Sequence, residues 1–262
     1  MAPNALYHAY GWKARIGLIV PSTNTVNEPE FWRLAPPGVT IHTSRVLVLG
    51  KTTPESYAEM GAALGRAARE LATAEVDLVA YGCTSGSIVC PLPEVLAQMR
   101  EAAGTPAIAA AGAVVAALRA FGVERVALAT PYVDFVNQAE KRFLEDYGFR
   151  VTSMFGLELG HTQEERRAMN RVAPEALYQL ARRVDRPEAQ AIFISCTALA
   201  SLEVIADLER EFAKPVIVSN PACFWACLRL LGLRAPVAGY GRLLEEKLAP
   251  IDASAFGLPA RA

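Results

Sequence analysis

Twice in this chain a short apolar run ends in Cys-Thr and leads into a helical stretch. Val76–Tyr81 runs into Gly82-Cys83-Thr84-Ser85-Gly86, and Ala191–Ser195 runs into Cys196-Thr197-Ala198. Strand and helix signals alternate around these two units. Strand signals cover 15–20, 39–48, 76–81, 125–130, 151–157, 191–195 and 215–219, and helical spacing covers 54–74, 91–103, 110–121, 133–147, 174–184, 199–212 and 221–231. Short apolar runs without polar alternation are strands buried on both faces, which is the pattern of parallel sheets. Strands that alternate with helices imply such sheets covered on both sides. Pro54 suits the first turn of its helix, and Gly122 and Gly148 suit helix ends.

The sequence therefore predicts an α/β fold. It has two similar doubly wound, flavodoxin-like parallel-sheet subdomains related by a pseudo-twofold, with the active site in the cleft between them. The expected division is 1–112 for the N-terminal subdomain and 113–220 for the C-terminal one. Residues 221–262 are expected to pack back on the first. Ligands in doubly wound sheets bind beyond the carboxyl ends of the strands. Both Cys-Thr turns lie at such ends, so facing halves would aim both thiols into one cleft.

A thiol at such a turn sits near the N-terminus of the next helix. Free N–H groups and the helix dipole there are expected to lower its pKa and to attract a substrate carboxylate. Either turn alone is as readily a buried cysteine with an ordinary Thr-Ser cap. Two of them at equivalent points are hard to ascribe to packing. A pair of thiols across a reacting carbon suits addition by one thiolate with the other as acid and base, or proton transfer from two faces. Asn24, in Pro21-Ser22-Thr23-Asn24-Thr25 after the first strand, offers an amide to a carboxylate. Tyr132, in Thr130-Pro131-Tyr132, offers a phenol; each is otherwise a turn or core residue.

Other classes fit poorly. The formal net charge is -1 with both signs scattered, which gives no nucleic-acid footprint. Apolar runs such as Ile16–Pro21 and Ala107–Leu118 are too short to span a bilayer. Met1–Trp12 lacks a signal-peptide pattern, so the expectation is a cytoplasmic protein. Five cysteines, an odd number, read as free thiols rather than a disulfide framework. Cys223 and Cys227, four apart on a helix, and Cys90 read as core residues. With only His8, His42 and His161 in the chain, no metal site is expected. Gly239-Tyr240-Gly241-Arg242 lacks the third glycine of a dinucleotide fingerprint, and no P-loop or nucleophile elbow is present. Glu164-Glu165-Arg166-Arg167 looks like a solvated run, from which an arginine could reach an anion only if the loop folds over the cleft.

Five segments carry a resemblance. They are 19–25 (Ile19 to Thr25), Gly82-Cys83-Thr84-Ser85, 127–132 (Ala127 to Tyr132), Ser195-Cys196-Thr197 and 239–244 (Gly239 to Leu244). In this order they resemble the Asp/Glu racemase superfamily, and most of all the branch holding maleate cis-trans isomerase and arylmalonate decarboxylase. The similarity runs from Arg15 to Glu246. It implies catalytic Cys83 and Cys196, no cofactor, and an anion-binding shell that includes Thr84, Ser85 and Thr197. Asn24 and Tyr132 would hold carboxylates. Arylmalonate decarboxylases have glycine where Cys83 stands and keep only the second cysteine, so Cys83 points to an isomerase. Isomerases carry a further asparagine before the 174–184 helix; here Asn170 or Arg167 takes that place. Met169 resembles an apolar pocket residue of the decarboxylase.

The expected activity is cis-trans isomerisation of maleate or a close analogue through a Cys83 adduct. A two-thiol racemase, an arylmalonate-type decarboxylase and a non-catalytic carboxylate-binding protein are the alternatives. The expected partner is a small carboxylate, with neither nucleic acid nor membrane, and a homodimer is left open.

Overall fold

The computed structural model describes residues 8–251. The first seven residues of the expected N-terminal subdomain, and with them most of Met1–Trp12, lie outside the described residues, as do residues 252–262 of the expected C-terminal segment. The first half contains β1 (Ala14–Pro21), α1 (Asn27–Leu34), β2 (Val39–Val46), α2 (Pro54–Ala62), α3 (Leu64–Thr73), β3 (Leu78–Tyr81), α4 (Gly86–Val89), α5 (Leu92–Ala103), β4 (Ala107–Ala109) and α6 (Ala110–Ala120). The second contains β5 (Arg125–Tyr132), α7 (Asp134–Asp146), β6 (Arg150–Leu159), α8 (Gln163–Ala168), a 3-10 turn at Met169–Arg171, α9 (Pro174–Val184), β7 (Ala191–Ile194), α10 (Ile205–Phe212), β8 (Val216–Val218) and α11 (Ser219–Leu230), followed by α12 (Arg242–Glu246).

The two halves repeat one plan. One sheet has the order β2-β1-β3-β4 and the other β6-β5-β7-β8, and every neighbouring pair is parallel. β3 and β7 are the third strand of each half, and every residue in both is buried, as an interior parallel strand requires. The covering helices show why they dock. α3 buries Leu64, Ala67, Ala68 and Leu71, and α9 buries Leu177, Leu180, Ala181 and Val184. Both stripes step by three, one and three residues, which is one face of a 3.6-residue helix.

α6 and α11 follow the fourth strands of the two sheets and pack on each other. Ala110–Leu118 of α6 and Ser219–Arg229 of α11 are buried throughout, as expected of helices enclosed on all sides. α11 also packs on α1, where the Phe31 and Phe224 rings meet edge to face at 5.3 Å. The end of the chain is tied to α11 by polar contacts. Trp225 Nε1 donates to the Lys247 carbonyl at 2.6 Å, and the Arg229 guanidinium donates to the carbonyls of Leu248 and Ala235.

Several elements differ from their sequence expectation, each for a local reason. The 54–74 helix breaks at Ala63 into α2 and α3, between Gly61 and Gly65, residues that weaken a helix interior. The 199–212 helix starts only at Ile205, because the Glu30 carboxylate accepts the N–H groups of Ser201 and Leu202 and holds that stretch as a turn. β4 hides in the apolar run before α6, and the 112/113 boundary falls inside α6. α1, α4, α8 and α12 are short or polar and give little periodic signal. Among the described residues, no helix is long and apolar enough to cross a membrane.

Candidate active site

Cys83 and Cys196 stand directly beyond β3 and β7, and both sulfurs face one cleft between the halves. The cleft encloses about 490 Å3 of atom-free space, part of it open to solvent. Its polar lining includes Asn24, Ser85, Tyr132 and Thr197, and its apolar lining includes Val48, Met60, Met169 and Ala198.

The turns are locked to each other across the halves. The Thr197 hydroxyl donates to the Gly82 carbonyl at 2.9 Å, and the Thr84 hydroxyl donates to Ser219 Oγ at 2.8 Å. Ser219 Oγ also accepts the Cys196 N–H at 3.0 Å. The Asn220 amide, next in sequence, donates to the Thr197 carbonyl and to Glu30 and accepts from Asn27 Nδ2. Gly82 has no room for a side chain, since a Cβ there would meet Asn27 Nδ2 at 2.6 Å. The spacing of the two thiols is thus set by buried hydrogen bonds, which are costly to leave unmade.

Around Cys83, Sγ accepts the Gly86 N–H at 3.3 Å and lies 3.8 Å from Ser85 Oγ. Burial pushes this thiol up. The Gly86 N–H, the Ser85 and Tyr81 hydroxyls and the Arg166 charge pull against that. Around Cys196, Sγ accepts the Ala198 N–H at 3.3 Å. Burial pushes this thiol up to about 12, opposed by the Tyr132 hydroxyl and the Ala198 N–H and reinforced by the charges of Cys83 and Glu140. Cys196 also adopts φ +116, a conformation that side-chain-bearing residues rarely take and that costs about 1–3 kcal/mol.

The expected lowering of both thiols is therefore corrected. α4 has only four residues, and no α-helix begins after Cys196 until Ile205, so neither thiol sits on a substantial helix dipole. Desolvation dominates at both sulfurs.

Cys83, Cys196, Asn24, Ser85, Tyr132 and Thr197 are brought together as expected. Asn24 is fixed by its Oδ1, which accepts the N–H groups of Val26 and Asn27 at 2.9 Å each. Its Nδ2 donates to Thr197 Oγ1 at 3.1 Å, which uses one of two amide hydrogens. Two expected contacts are corrected. Thr84 is buried with its hydroxyl committed to Ser219, and it does not line the cleft. Asn170 also stands outside the cleft. Its Oδ1 accepts the Thr25 N–H at 2.9 Å and its Nδ2 donates to the Thr23 carbonyl at 3.1 Å, so it holds the loop that carries Asn24.

Arg166, Tyr57, Ser219 and Glu140 were not among the expected site residues. Thr162 caps α8 by accepting the Glu165 N–H, and the Glu165 carboxylate accepts the N–H groups of Gly160 and His161. That start turns Arg166 and Met169, three residues apart on one face, into the cleft. Arg166 is only 8% exposed, which corrects the expectation of a solvated run. Glu140 on α7 is fully buried beside Ser195, and burial pushes its carboxyl up to about 8. Ser219-Asn220 had a usable signal, a polar pair where an apolar strand ends. Nothing in Glu164-Glu165-Arg166-Arg167 distinguishes the arginine that turns inward.

Cys223, Cys227 and Cys90 are free thiols; the first two are buried in α11, and Cys90 Sγ lies 3.5 Å from the Tyr57 carbonyl. Among the described residues, no three His, Cys, Asp or Glu side chains cluster as a metal site would require.

Comparison with known proteins places this geometry. Residues 16–244 match the arylmalonate decarboxylase family. The chain is 36% identical over 237 residues to the arylmalonate decarboxylase of Bordetella bronchiseptica, covering 88% of this chain and 96% of that one. It is 33% identical over 245 residues to the maleate isomerase of Nocardia farcinica, with the same coverage of 88% and 96%. A solved structure of Nocardia farcinica maleate cis-trans isomerase superposes with a TM-score of 0.81 at 29% identity, covering 89% of this chain and 98% of that one. It is a cysteine-to-serine mutant with a covalently bound succinylcysteine intermediate.

Proposed function

The chain belongs to the arylmalonate decarboxylase family, and from that premise we propose that it is an isomerase that interconverts a cis and a trans unsaturated carboxylate of the maleate–fumarate type. The observation that carries this reading is two cysteine sulfurs lining one cleft. A decarboxylase of this family needs one thiol; a covalent isomerase needs a nucleophile and an acid.

The reacting form holds Cys83 as thiolate and Cys196 as thiol. Cys83 Sγ bonds to one alkene carbon, and the π pair moves to the neighbouring carbon, which takes the Cys196 proton. The carbon–carbon bond is now single and rotates. The Cys196 thiolate then takes a proton back, the double bond re-forms, and the C–S bond breaks to release Cys83 thiolate. Atoms and charge return to their starting places, so no metal or organic cofactor is required.

The two sulfurs are unequal in the way these steps need. Arg166 and the Gly86 N–H favour the Cys83 thiolate. Glu140, and the Cys83 charge itself, favour the Cys196 thiol. Asn24, Ser85 and Tyr132 are assigned to hold one carboxylate, and Thr197, whose hydroxyl hydrogen goes to the Gly82 carbonyl, to position the Asn24 amide. Thr84 and Asn170 are assigned to position those groups without touching the ligand. The covalent succinylcysteine of the Nocardia farcinica mutant supports an adduct of this kind. The two sheets with their helices are the proposed working units, dividing after α6 rather than at 112/113, and the described chain from α11 onward is the segment that returns to the first. Dependence on free thiols supports a reducing compartment such as the cytoplasm.

The decarboxylase alternative draws on Val48, Met60 and Met169, apolar groups that would suit an aryl ring. Proton NMR of the protein with maleate and with an arylmalonate separates the two. Appearance of fumarate supports the isomerase. Loss of carbon dioxide from the arylmalonate with maleate untouched would refute it.

A further inference from the structure

Arg166 is the sole charged residue among those lining the cleft. No carboxylate lines the cleft, and none lines the adjoining outer depression, which shares Thr23 and Val48 with it and adds Arg167 and Arg171. The lining charge along this approach is therefore positive, from Arg166 and Arg167, with Arg171 paired to Glu164 at 3.4 Å. Such a funnel draws in anions.

The partners of Arg166 are poor ones. One terminal nitrogen faces three carbonyls, those of Leu49, Gly50 and Lys51, each at 3.3 Å, with two hydrogens to share among them. The other donates to Ser56 Oγ at 3.3 Å. The guanidinium carbon lies 5.9 Å from the centre of the Tyr57 ring. All of these partners are neutral, so among the described residues this buried cation faces the cleft with no carboxylate paired to it. A buried charge gains most from an opposite charge with hydrogen bonds.

The other end of the cleft is polar and uncharged. Asn24 and Ser85 can hold one carboxylate by hydrogen bonds, and they offer a second negative charge no compensation. A carboxylate needs two oxygen acceptors met in one plane, which the guanidinium fork supplies and a lone amide or hydroxyl does not.

We propose that Arg166 selects the substrate class, by taking the second carboxylate of a dicarboxylate whose first carboxylate lies against the two cysteine turns. The proposal rests on the isomerase reading for its chemistry, but its ligand claim can be tested without turnover. On binding, the guanidinium exchanges weak carbonyl contacts for a paired carboxylate. Monocarboxylates of similar size fill the same cleft and leave Arg166 as it is.

The test measures binding of succinate and of butyrate, neither of which reacts, by calorimetry on the full chain and on Arg166→Gln and Arg166→Lys. Wild type is expected to bind succinate about 10- to 100-fold more tightly than butyrate, the range for a hydrogen bond to a charged group. Arg166→Gln is expected to erase that difference while leaving butyrate binding within about threefold. Arg166→Lys should restore part of the difference, because it keeps the charge and loses the fork. In turnover, the Gln variant should raise KM for maleate and also lower kcat, because it removes the charge that favours the Cys83 thiolate, whereas Arg166→Lys keeps that charge and should raise KM with kcat nearer wild type. Equal affinity of wild type for the two ligands would overturn the proposal. So would equal loss of both in Arg166→Gln, which is what a strap holding only the 49–51 loop predicts. A chain that prefers succinate but leaves maleate unchanged would refute the isomerase reading and keep this one.

Discussion

Cys83 follows β3 and Cys196 follows β7, the third strand of each half, but the two turns hold their sulfurs differently. The first has a backbone N–H from Gly86, two hydroxyls and the field of Arg166. The second has a strained backbone at φ +116, the Ala198 N–H, and the Glu140 carboxyl behind it. A duplicated scaffold thus fixes where two thiols stand, while the residues that make one a nucleophile and the other an acid come from outside the two Cys-Thr turns, both from helices of the second half. Arg166 arrives from α8 and Glu140 from α7.

The largest effect that could break this contrast is loss of one thiol at a time. Cys83→Ser is expected to reduce maleate turnover by about 10^4-fold or more and to form no adduct, since removing a nucleophile costs on that order. Cys196→Ser should also turn over slowly, yet accumulate a species heavier than the protein by one maleic acid, attached at Cys83. Intact-mass spectrometry reads both. An adduct on Cys196 in the Cys83→Ser chain would reverse the assignment.

The repeat was legible because it rests on short-range signals. Apolar runs closed by Cys-Thr, and helical stripes such as Leu64-Ala67-Ala68-Leu71, follow from periodicity alone. Asn24, Ser85, Tyr132 and Thr197 were found for the same reason, since each lies at or just past the end of a strand. What differs between the halves was not legible. Glu140 sits six residues into α7 as one more helix carboxylate, and only tertiary packing encloses it. Arg166 and Arg167 are chemically identical, and the cap at Thr162 decides which one turns inward. The roles of Thr84 and Asn170 depended on partners 135 and 145 residues away in sequence, a distance over which local pattern carries no information.

The next prediction concerns ionisation. With Cys196 pushed up to about 12, roughly one of these thiols in a thousand is ionised at about pH 9, and only the thiolate is alkylated. Iodoacetamide should therefore label Cys83 well before Cys196 as pH is raised. Peptide mapping of Cys83→Ser and Cys196→Ser single-thiol chains measures each rate separately. Equal rates at the two sites would remove the electrostatic basis of the assignment.

Glu140 sharpens the contrast through its own titration. Burial lifts its carboxyl from an ordinary value of 4.5 to about 8. Between those values the folded chain keeps a proton that the unfolded chain has lost. Stability from this group is therefore full below about pH 4.5 and falls as pH rises towards 8, by about 1.4 kcal/mol per pH unit. Glu140→Gln, neutral at every pH, should lack that slope in urea melts taken from about pH 5 to 9. It should also move Cys196 alkylation to lower pH, because the charge it removes opposes the Cys196 thiolate. Unchanged slopes in the variant would mean that Glu140 does not titrate as a buried carboxyl.

The smallest effect separates the two backbones. Glycine adopts a positive φ freely, so Cys196→Gly removes the backbone strain at φ +116 while losing a small buried side chain. At Cys83, which is not among the positive-φ residues, the same change loses a comparable buried group and loosens the unfolded chain with no strain to relieve. The two variants lose similar contacts, so the difference between them isolates the backbone. Cys196→Gly should be the more stable of the two by about 1–3 kcal/mol in urea titration. If the two melted together, Cys196 would stand in an unstrained turn, and the halves would differ only in the charges around their sulfurs. If Cys196→Gly is the more stable, the second half holds its proton donor in a conformation that costs stability, which is expected where a reacting atom must stand at one fixed point in a cleft.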